Sequence, residues 1–412
     1  MEGKITFERL FLIGIFLLPS APTISLLFLL ISGFYSSVKF KKEYFKDKWN
    51  LPFFISAIFL ILSCFFNSIN RNYVYSFDYD PILSWIGLFN WIPYFWSFWS
   101  FQYFLRTPKQ RKKVSIALLL GSIPILITGI LQYFFKVNGP FILWNGFLTW
   151  YLRPIEGYNG LTGLFSNANY TGAWLNIILP FSFAIFNPKE KSFINKFCLL
   201  IYIFILITCT ILTFSRNAWL GLILCLFLIF ELKNIKYIMS FIGGVLASIY
   251  FFGPKISGSF PSIWSYKFNF LFNIENFFSS IRFDVWYFAV ENILKKPIWG
   301  WGAGSYPEMS RTLENSWQGH AHNLPLDLAF NYGIPVCLII ISTILTIIIK
   351  SYKNIRELKI DITFLKFEKA WLFSCLLIIL NQNFDITYND LRIGIVFWIL
   401  LGGLRNIIYR NI

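Results

Sequence analysis

The stretch VSIALLLGSIPILITGILQYFF, Val114–Phe135, decides the fold class. It is apolar at odd and even positions alike, as are Leu51–Ile69 and Leu324–Ile349. A membrane β-barrel would instead alternate polar and apolar residues in segments of about ten. Runs of roughly 20 apolar residues suit α-helices, which satisfy every backbone N–H and C=O inside the segment while crossing hydrocarbon. Working outward, eleven further runs appear: Arg9–Pro19, Ala21–Val38, Leu51–Ile69, Pro81–Leu105, Tyr170–Phe186, Phe197–Phe214, Ala218–Phe230, Tyr237–Gly253, Leu324–Ile349, Ala370–Phe384 and Leu391–Leu404. With 56% hydrophobic and 14% charged residues over 412 positions, the chain is predicted to be an all-α polytopic membrane protein. The expectation is one transmembrane domain over residues 1–412 with about twelve helices. Pro19 and Pro22 leave two readings of the start: one kinked helix or two short ones. Because the apolar stretch runs on past Ser20 and Ala21, a cleaved signal is not expected there.

Basic residues in short loops anchor on the cytoplasmic side, and the twelve-span reading puts 25 of the 36 lysines and arginines on inner segments. The net charge of +16 is therefore a topology signal. It is not a nucleic-acid footprint, because the cations are scattered over separate loops. Two outer loops are long, Lys136–Asn169 and the large extracytoplasmic loop Pro254–Asn323. In the second, Trp286, Ala289, Val290, Ile293 and Leu294 recur at helical spacing, so a short amphipathic helix opening near Arg282 is expected along the membrane surface. The alternating glycines Gly300, Gly302 and Gly304 suit a tight backbone path against another surface, and their spacing is not a dinucleotide fingerprint.

Chemistry near neutral pH has few places to be. The two histidines, His320 and His322, share one loop, and charged residues sit near or beyond the ends of the apolar runs. Six cysteines, all within spans and without C-x-x-C spacing, imply neither disulfides nor a thiolate metal site. No carboxylate cluster adjoins the histidines in sequence, so neither a dedicated metal site nor a cofactor is expected. Arg153, Arg216, Arg282 and Arg311 fall on the outer side, which cations disfavour, and so are candidates for function. Bland readings stand beside these. His320 reads as a solvated loop residue, Arg216 as a snorkelling cation, and Arg282 as a helix start. Asn167 and Asn169 read as N-caps of the span near Tyr170, and Trp85, Trp91, Tyr94, Trp96, Trp99 and Tyr103 as an interfacial belt or packing.

His322-Asn323, nine residues and then Gly333 resemble the H-N-x9-G signature of the O-antigen ligase and O-antigen polymerase superfamily of membrane glycosyltransferases. Gly163 to Asn169, Thr213 to Trp219, and Arg282 through Pro297 to Gly304 support the resemblance, which covers about residues 160–349. It departs at Val336, where the family often has a second glycine, which leaves local helix packing in question. The resemblance implies a GT-C-like bundle in the bacterial inner membrane with its site facing the periplasm. It implies transfer of a glycan from undecaprenyl pyrophosphate to a hydroxyl of a saccharide or lipid-saccharide acceptor, by a ligase or a polymerase. His322 would then be the base, and direct, metal-independent displacement would invert the anomeric centre. Arg216 and Arg282 would hold the pyrophosphate; Asn323 and Asp327 would orient the imidazole or acceptor; Asn169 and Arg153 would contact substrate. Transferases of this fold that glycosylate proteins rank lower, since the sequence shows no separate soluble domain for a protein acceptor. A secondary transporter would need charges in mid-membrane, which no span carries, and a non-catalytic envelope-assembly subunit would tolerate loss of these residues.

Overall fold

Proline and glycine positions, more than hydrophobicity, decide how the apolar runs become helices. The computed structural model describes residues 2–69, 79–155, 160–186, 192–230, 281–312 and 318–409, together with 236, 240 and 243. The helices are α1 (Glu2–Leu17), α2 (Pro22–Phe40), α3 (Asn50–Ile69), α4 (Ile82–Gly87), α5 (Ile92–Ser100), α6 (Pro108–Gly121), α7 (Ile123–Phe134) and α8 (Ala168–Ile185). They continue with α9 (Phe193–Leu212), α10 (Arg216–Phe230), α11 (Ile281–Lys295), α12 (Ser305–Met309), α13 (Leu324–Tyr332), α14 (Ile334–Glu357), α15 (Ile362–Asn381) and α16 (Leu391–Ile408). Among the described residues six helical segments are long and apolar enough to cross a membrane: 22–43, 50–69, 108–134, 193–212, 334–357 and 391–408. The chain is an all-α membrane protein. Most of the expected span at Tyr237–Gly253, and residues 254–280 and 313–317 of the long loop, lie outside the described residues.

The question left by Pro19 and Pro22 resolves into two helices. Pro22 opens α2, which folds back antiparallel on α1. Ser25 Oγ donates to the Gly14 carbonyl at 2.7 Å, and the Phe7 and Tyr35 rings stack at 3.8 Å. Small residues at this seam let the backbones approach closely, which is how helices associate where lipid removes the hydrophobic driving force.

Two expected continuous spans are corrected: Pro81–Leu105 is α4 and α5 joined by a 3-10 turn, and Leu324–Ile349 is α13 followed by α14. Val114–Phe135 falls within the single crossing segment 108–134, interrupted only by the short break between α6 and α7. Pro93, Pro124 and Pro335 each occupy one of the first two positions of a new helix, where the missing N–H costs nothing. At the third break Gly333 takes φ +93°, and a Cβ there would strike the Ile298 carbonyl. The H-N-x9-G spacing thereby acquires a structural meaning. Asn323 caps α13 by accepting from Leu326 N–H, nine helical residues follow, and Gly333 ends the helix. Val336, the departure from the family pattern, is fully buried without disturbing the start of α14.

The connections assigned to outer and inner sides segregate to opposite ends of the bundle. At one end Trp150 Nε1 donates to the Ser20 carbonyl, Arg392 to those of Pro19 and Leu164, and Tyr388 Oη to that of Asn90. At the other, Arg106 pairs with Glu43, Lys113 with Glu8 and Arg405 with Asp47, and the fully buried Arg111 binds Glu368 through two hydrogen bonds of 2.6 and 2.8 Å. A fork-to-carboxylate geometry of that kind is what makes a buried pair tolerable. Between the ends, α8 and α16 are buried along most of their lengths. The loop 136–169 folds locally as a hairpin the sequence did not suggest, β1 (Phe141–Leu143) paired antiparallel with β2 (Leu148–Trp150).

Candidate functional site

At the mouth of the bundle away from the Arg111–Glu368 pair, four elements bring polar side chains together. His322 lies in the turn before α13, with φ +51°. Its Nδ1–H donates to Asp385 Oδ1 at 3.2 Å, and its Nε2 is 2.9 Å from Gln318 Oε1. Asp385 follows the C-terminus of α15 and accepts a second hydrogen bond, at 2.6 Å, from Asn169 Nδ2 in the first turn of α8. Arg282, in the first turn of α11, lies within electrostatic reach of the same carboxylate.

The electrostatics fit a carboxylate that stays ionised. Burial alone would push the Asp385 carboxyl up, but the His322 hydrogen bond, the two imidazoles and the Asn169 amide together hold it below the usual carboxylate range. Burial draws the Arg282 guanidinium down, and Asp385 draws it back up. His320 is pushed down to about 4, by burial first and then by repulsion from His322. Its neutral ring fits its role here: His320 Nδ1 accepts the His322 backbone N–H at 3.1 Å, and the two rings meet edge to face at 4.2 Å. That hydrogen bond fixes His322 in its left-handed backbone conformation, so His320 is part of the site rather than the solvated residue expected.

An imidazole oriented by a carboxylate is the arrangement of a general base. With the proton held on Nδ1, the Nε2 lone pair can take a proton from an incoming hydroxyl that displaces Gln318 Oε1 from it. As an imidazolium, both ring N–H groups are satisfied, by Asp385 and Gln318.

The other sequence candidates fall around this pair. Asn323 Nδ2 donates to the Asn383 carbonyl at 3.3 Å, joining the α13 cap to the Asp385 segment. Asp327, one turn into α13, accepts from Asn331 Nδ2 at 2.9 Å and does not bond His322. Asn167, not Asn169, is the N-cap of α8, and it leaves Asn169 free to reach Asp385. Arg216 opens α10, half-buried, and the next residue, Asn217, donates to the Asn381 carbonyl four residues before Asp385. Arg153 is not drawn in. Its backbone is held by Gln132 and Thr162, and its exposed side chain makes no hydrogen bond or ion pair among the described residues.

Asp385 is the residue the sequence reading missed: the histidines have no carboxylate cluster beside them, but this single carboxylate reaches them from a distant part of the chain. It lies 63 positions from His322. The available signal was Asn381-Gln-Asn-Phe-Asp385, a polar break directly after an apolar run. Donor atoms of His320, His322 and Asp385 lie within 4.8 Å of one another, a set able to hold a divalent cation. As arranged, however, His322 Nδ1 is committed to Asp385 and His320 Nδ1 to a backbone N–H.

The amphipathic helix expected to open near Arg282 is α11, with its buried face rotated. Val285, Ala289, Asn292 and Ile293 pack inward, while Val290 and Leu294 are exposed. The glycine loop then clasps the end of α13: Trp301 N–H and Gly302 N–H donate to the Phe330 and Asn331 carbonyls at 2.8 and 2.9 Å. A Cβ at Gly300, where φ is +63°, would collide with the backbone of residues 330–332.

Fold and site together define a polytopic membrane protein with a carboxylate-oriented histidine at one mouth of its helix bundle. The sequence profile of the O-antigen ligase family matches residues 201–341, from α9 into α14, and this match supports the chain's likeness to the O-antigen ligase superfamily. The matched stretch holds Arg216, Arg282, His320 and His322, but neither Asn169 nor Asp385. The chain is also similar, at 27% identity over 257 residues, to the ComP-specific O-oligosaccharyltransferase of Acinetobacter baylyi (strain ATCC 33305 / BD413 / ADP1). That similarity covers 58% of this chain and 44% of the relative, so it spans less than half of the relative's length.

Proposed function

We propose that this protein is a membrane glycosyltransferase that moves a glycan from a lipid pyrophosphate, undecaprenyl pyrophosphate, to the hydroxyl of a saccharide acceptor. The observation that carries the reading is the His322–Asp385 pair, 3.2 Å apart and braced by Asn169, beside Arg282. The acceptor oxygen attacks the anomeric carbon while its proton passes to His322 Nε2. The bond from that carbon to the pyrophosphate oxygen breaks, and its electron pair leaves with the lipid pyrophosphate. Asp385 stabilises the imidazolium that forms, and Arg216 and Arg282 stabilise the charge that builds on the leaving group. A single displacement inverts the anomeric centre. We place the site on the periplasmic face of a GT-C-like bundle of about twelve spans in the bacterial inner membrane, in keeping with the basic bias of the opposite end. The ligase-like region is assigned to residues 160–349, extended by Asp385.

A second reading concerns the acceptor. The relative's name specifies ComP, which supports an acceptor other than a surface glycan for the same chemistry. The lipid-linked glycans of a deletion strain separate the cases. Single-repeat intermediates indicate lost polymerisation, accumulated long chains indicate lost ligation, and neither change together with a lost glycoprotein band indicates a protein acceptor. Whichever acceptor applies, His322→Ala, Arg216→Ala and Arg282→Ala are expected to abolish transfer with membrane insertion intact. Full activity in a well-expressed variant removes that residue from the mechanism.

A further inference from the structure

Beside His320 a cavity of about 140 Å³ opens between α13, residues 386–389 and the Asn90–Trp91 corner. Trp91 and Tyr388 line it, their rings stacked on each other at 5.0 Å and 23°. Asp327, Asn331, His320 and the exposed Asn389 complete its polar side. Asn331 is only 8% exposed, and while its Nδ2 donates to Asp327, its Oδ1 has no hydrogen-bond partner among the described residues. A buried acceptor without a partner is costly unless a ligand supplies the donor. His320 offers the complementary group. With Nδ1 occupied by the His322 N–H, the neutral ring carries its proton on Nε2 and is a donor.

We propose that this cavity is a subsite for one neutral saccharide ring of a substrate. The assignment rests on the transferase reading above and deepens it. Among the described residues no lysine or arginine lines the cavity, and the Asp327 carboxylate would repel a phosphate, so the pyrophosphate belongs with Arg282 rather than here. A polyhydroxylated ring matches what is present: stacked aromatic rings for its C–H face, an amide oxygen and a carboxylate for its hydroxyls, and an imidazole N–H for a ring or hydroxyl oxygen. The volume suits a single ring. His320 contacts both this cavity and His322, so a sugar bound here lies one side chain from the base.

The test uses the full-length protein in nanodiscs with two variants: Asn331→Leu removes the orphan acceptor, and Asn389→Trp fills the cavity mouth from an exposed position that tolerates bulk. Each is expected to raise the KM of one substrate roughly tenfold while kcat stays within about threefold. A shift confined to the acceptor assigns the subsite to the acceptor sugar, and one confined to the lipid-linked donor assigns it to the donor glycan. Unchanged KM for both substrates in both variants overturns the proposal, even while wild-type transfer and its loss in His322→Ala leave the transferase reading standing. If the wild type transfers no glycan, thermal shift decides the subsite alone. Stabilisation by a member of a monosaccharide panel that Asn389→Trp abolishes supports it; stabilisation by inorganic pyrophosphate alone, or by nothing, overturns it.

Discussion

Asp385→Asn isolates the electrostatic part of the site with almost no change in shape. The carboxylate is 6% exposed and makes two hydrogen bonds, from His322 Nδ1 at 3.2 Å and Asn169 Nδ2 at 2.6 Å. An asparagine can accept through one oxygen only, so its NH2 must face one of these donors. If it faces His322, the imidazole is driven to carry its proton on Nε2, which removes the lone pair that would deprotonate the acceptor. A hydrogen bond to a charged group is worth about 1.5–3 kcal/mol. The ion pair formed with the imidazolium, at that separation and an effective dielectric near 20, is bounded at about 5 kcal/mol. Between about 2 and 5 kcal/mol of transition-state stabilisation should therefore disappear, a fall in kcat of roughly 30- to 5,000-fold. The assay is transfer from purified lipid-linked glycan to acceptor in nanodiscs, with thermal midpoint and detergent extraction as controls for folding. Asp385→Asn with normal kcat would show that His322 needs no oriented tautomer, and the base mechanism would fall with it.

Three further outcomes follow from the same geometry. Arg282→Lys keeps the charge but loses the fork, so transfer should drop about 10- to 100-fold, and wild-type rates would mean that Arg282 binds no diphosphate oxygens. EDTA should leave transfer unchanged because the imidazoles and Asp385 are committed to one another; loss of activity restored by a divalent cation would show that His320, His322 and Asp385 hold a metal. His320, lowered to about 4 from 6.5, binds fewer protons folded than unfolded between those values, so this group makes the folded state lose stability as pH falls through that window. The thermal midpoint should accordingly decline from pH 6.5 to 4 in the wild type and decline less in His320→Gln, and identical profiles would place the acid sensitivity elsewhere.

What could be read from the sequence, and what could not, divides along local and non-local physics. Helices were legible because uniform apolarity over about 20 residues admits no other membrane-spanning structure than a helix. Their breaks were legible too, but only to a rule applied evenly. The proline reasoning used at Pro19 and Pro22 holds equally for Pro93, Pro124 and Pro335, each within the first two positions of a new helix. The histidine loop was legible because titratable groups are scarce in such a chain. Asp385 was not, because its importance comes from a fold that sets the end of α15 against the starts of α8 and α13, and no local pattern encodes that. The same holds for Trp91, which composition assigns to an interfacial belt and the structure stacks on Tyr388 at a cavity wall. Gly333 shows the reverse case, a motif residue whose sequence neighbours hint at chemistry but whose role is backbone. Its φ of +93° and the Ile298 carbonyl against it mean that Gly333→Ala should unseat α13 and with it the Asn323 cap that follows His322. Transfer and thermal stability should then fall together, whereas His322→Ala should remove transfer and spare stability. If Gly333→Ala instead abolished transfer in a protein as stable as the wild type, the spacing from His322 to Gly333 would have to be read as part of the reaction rather than as the length of one short helix.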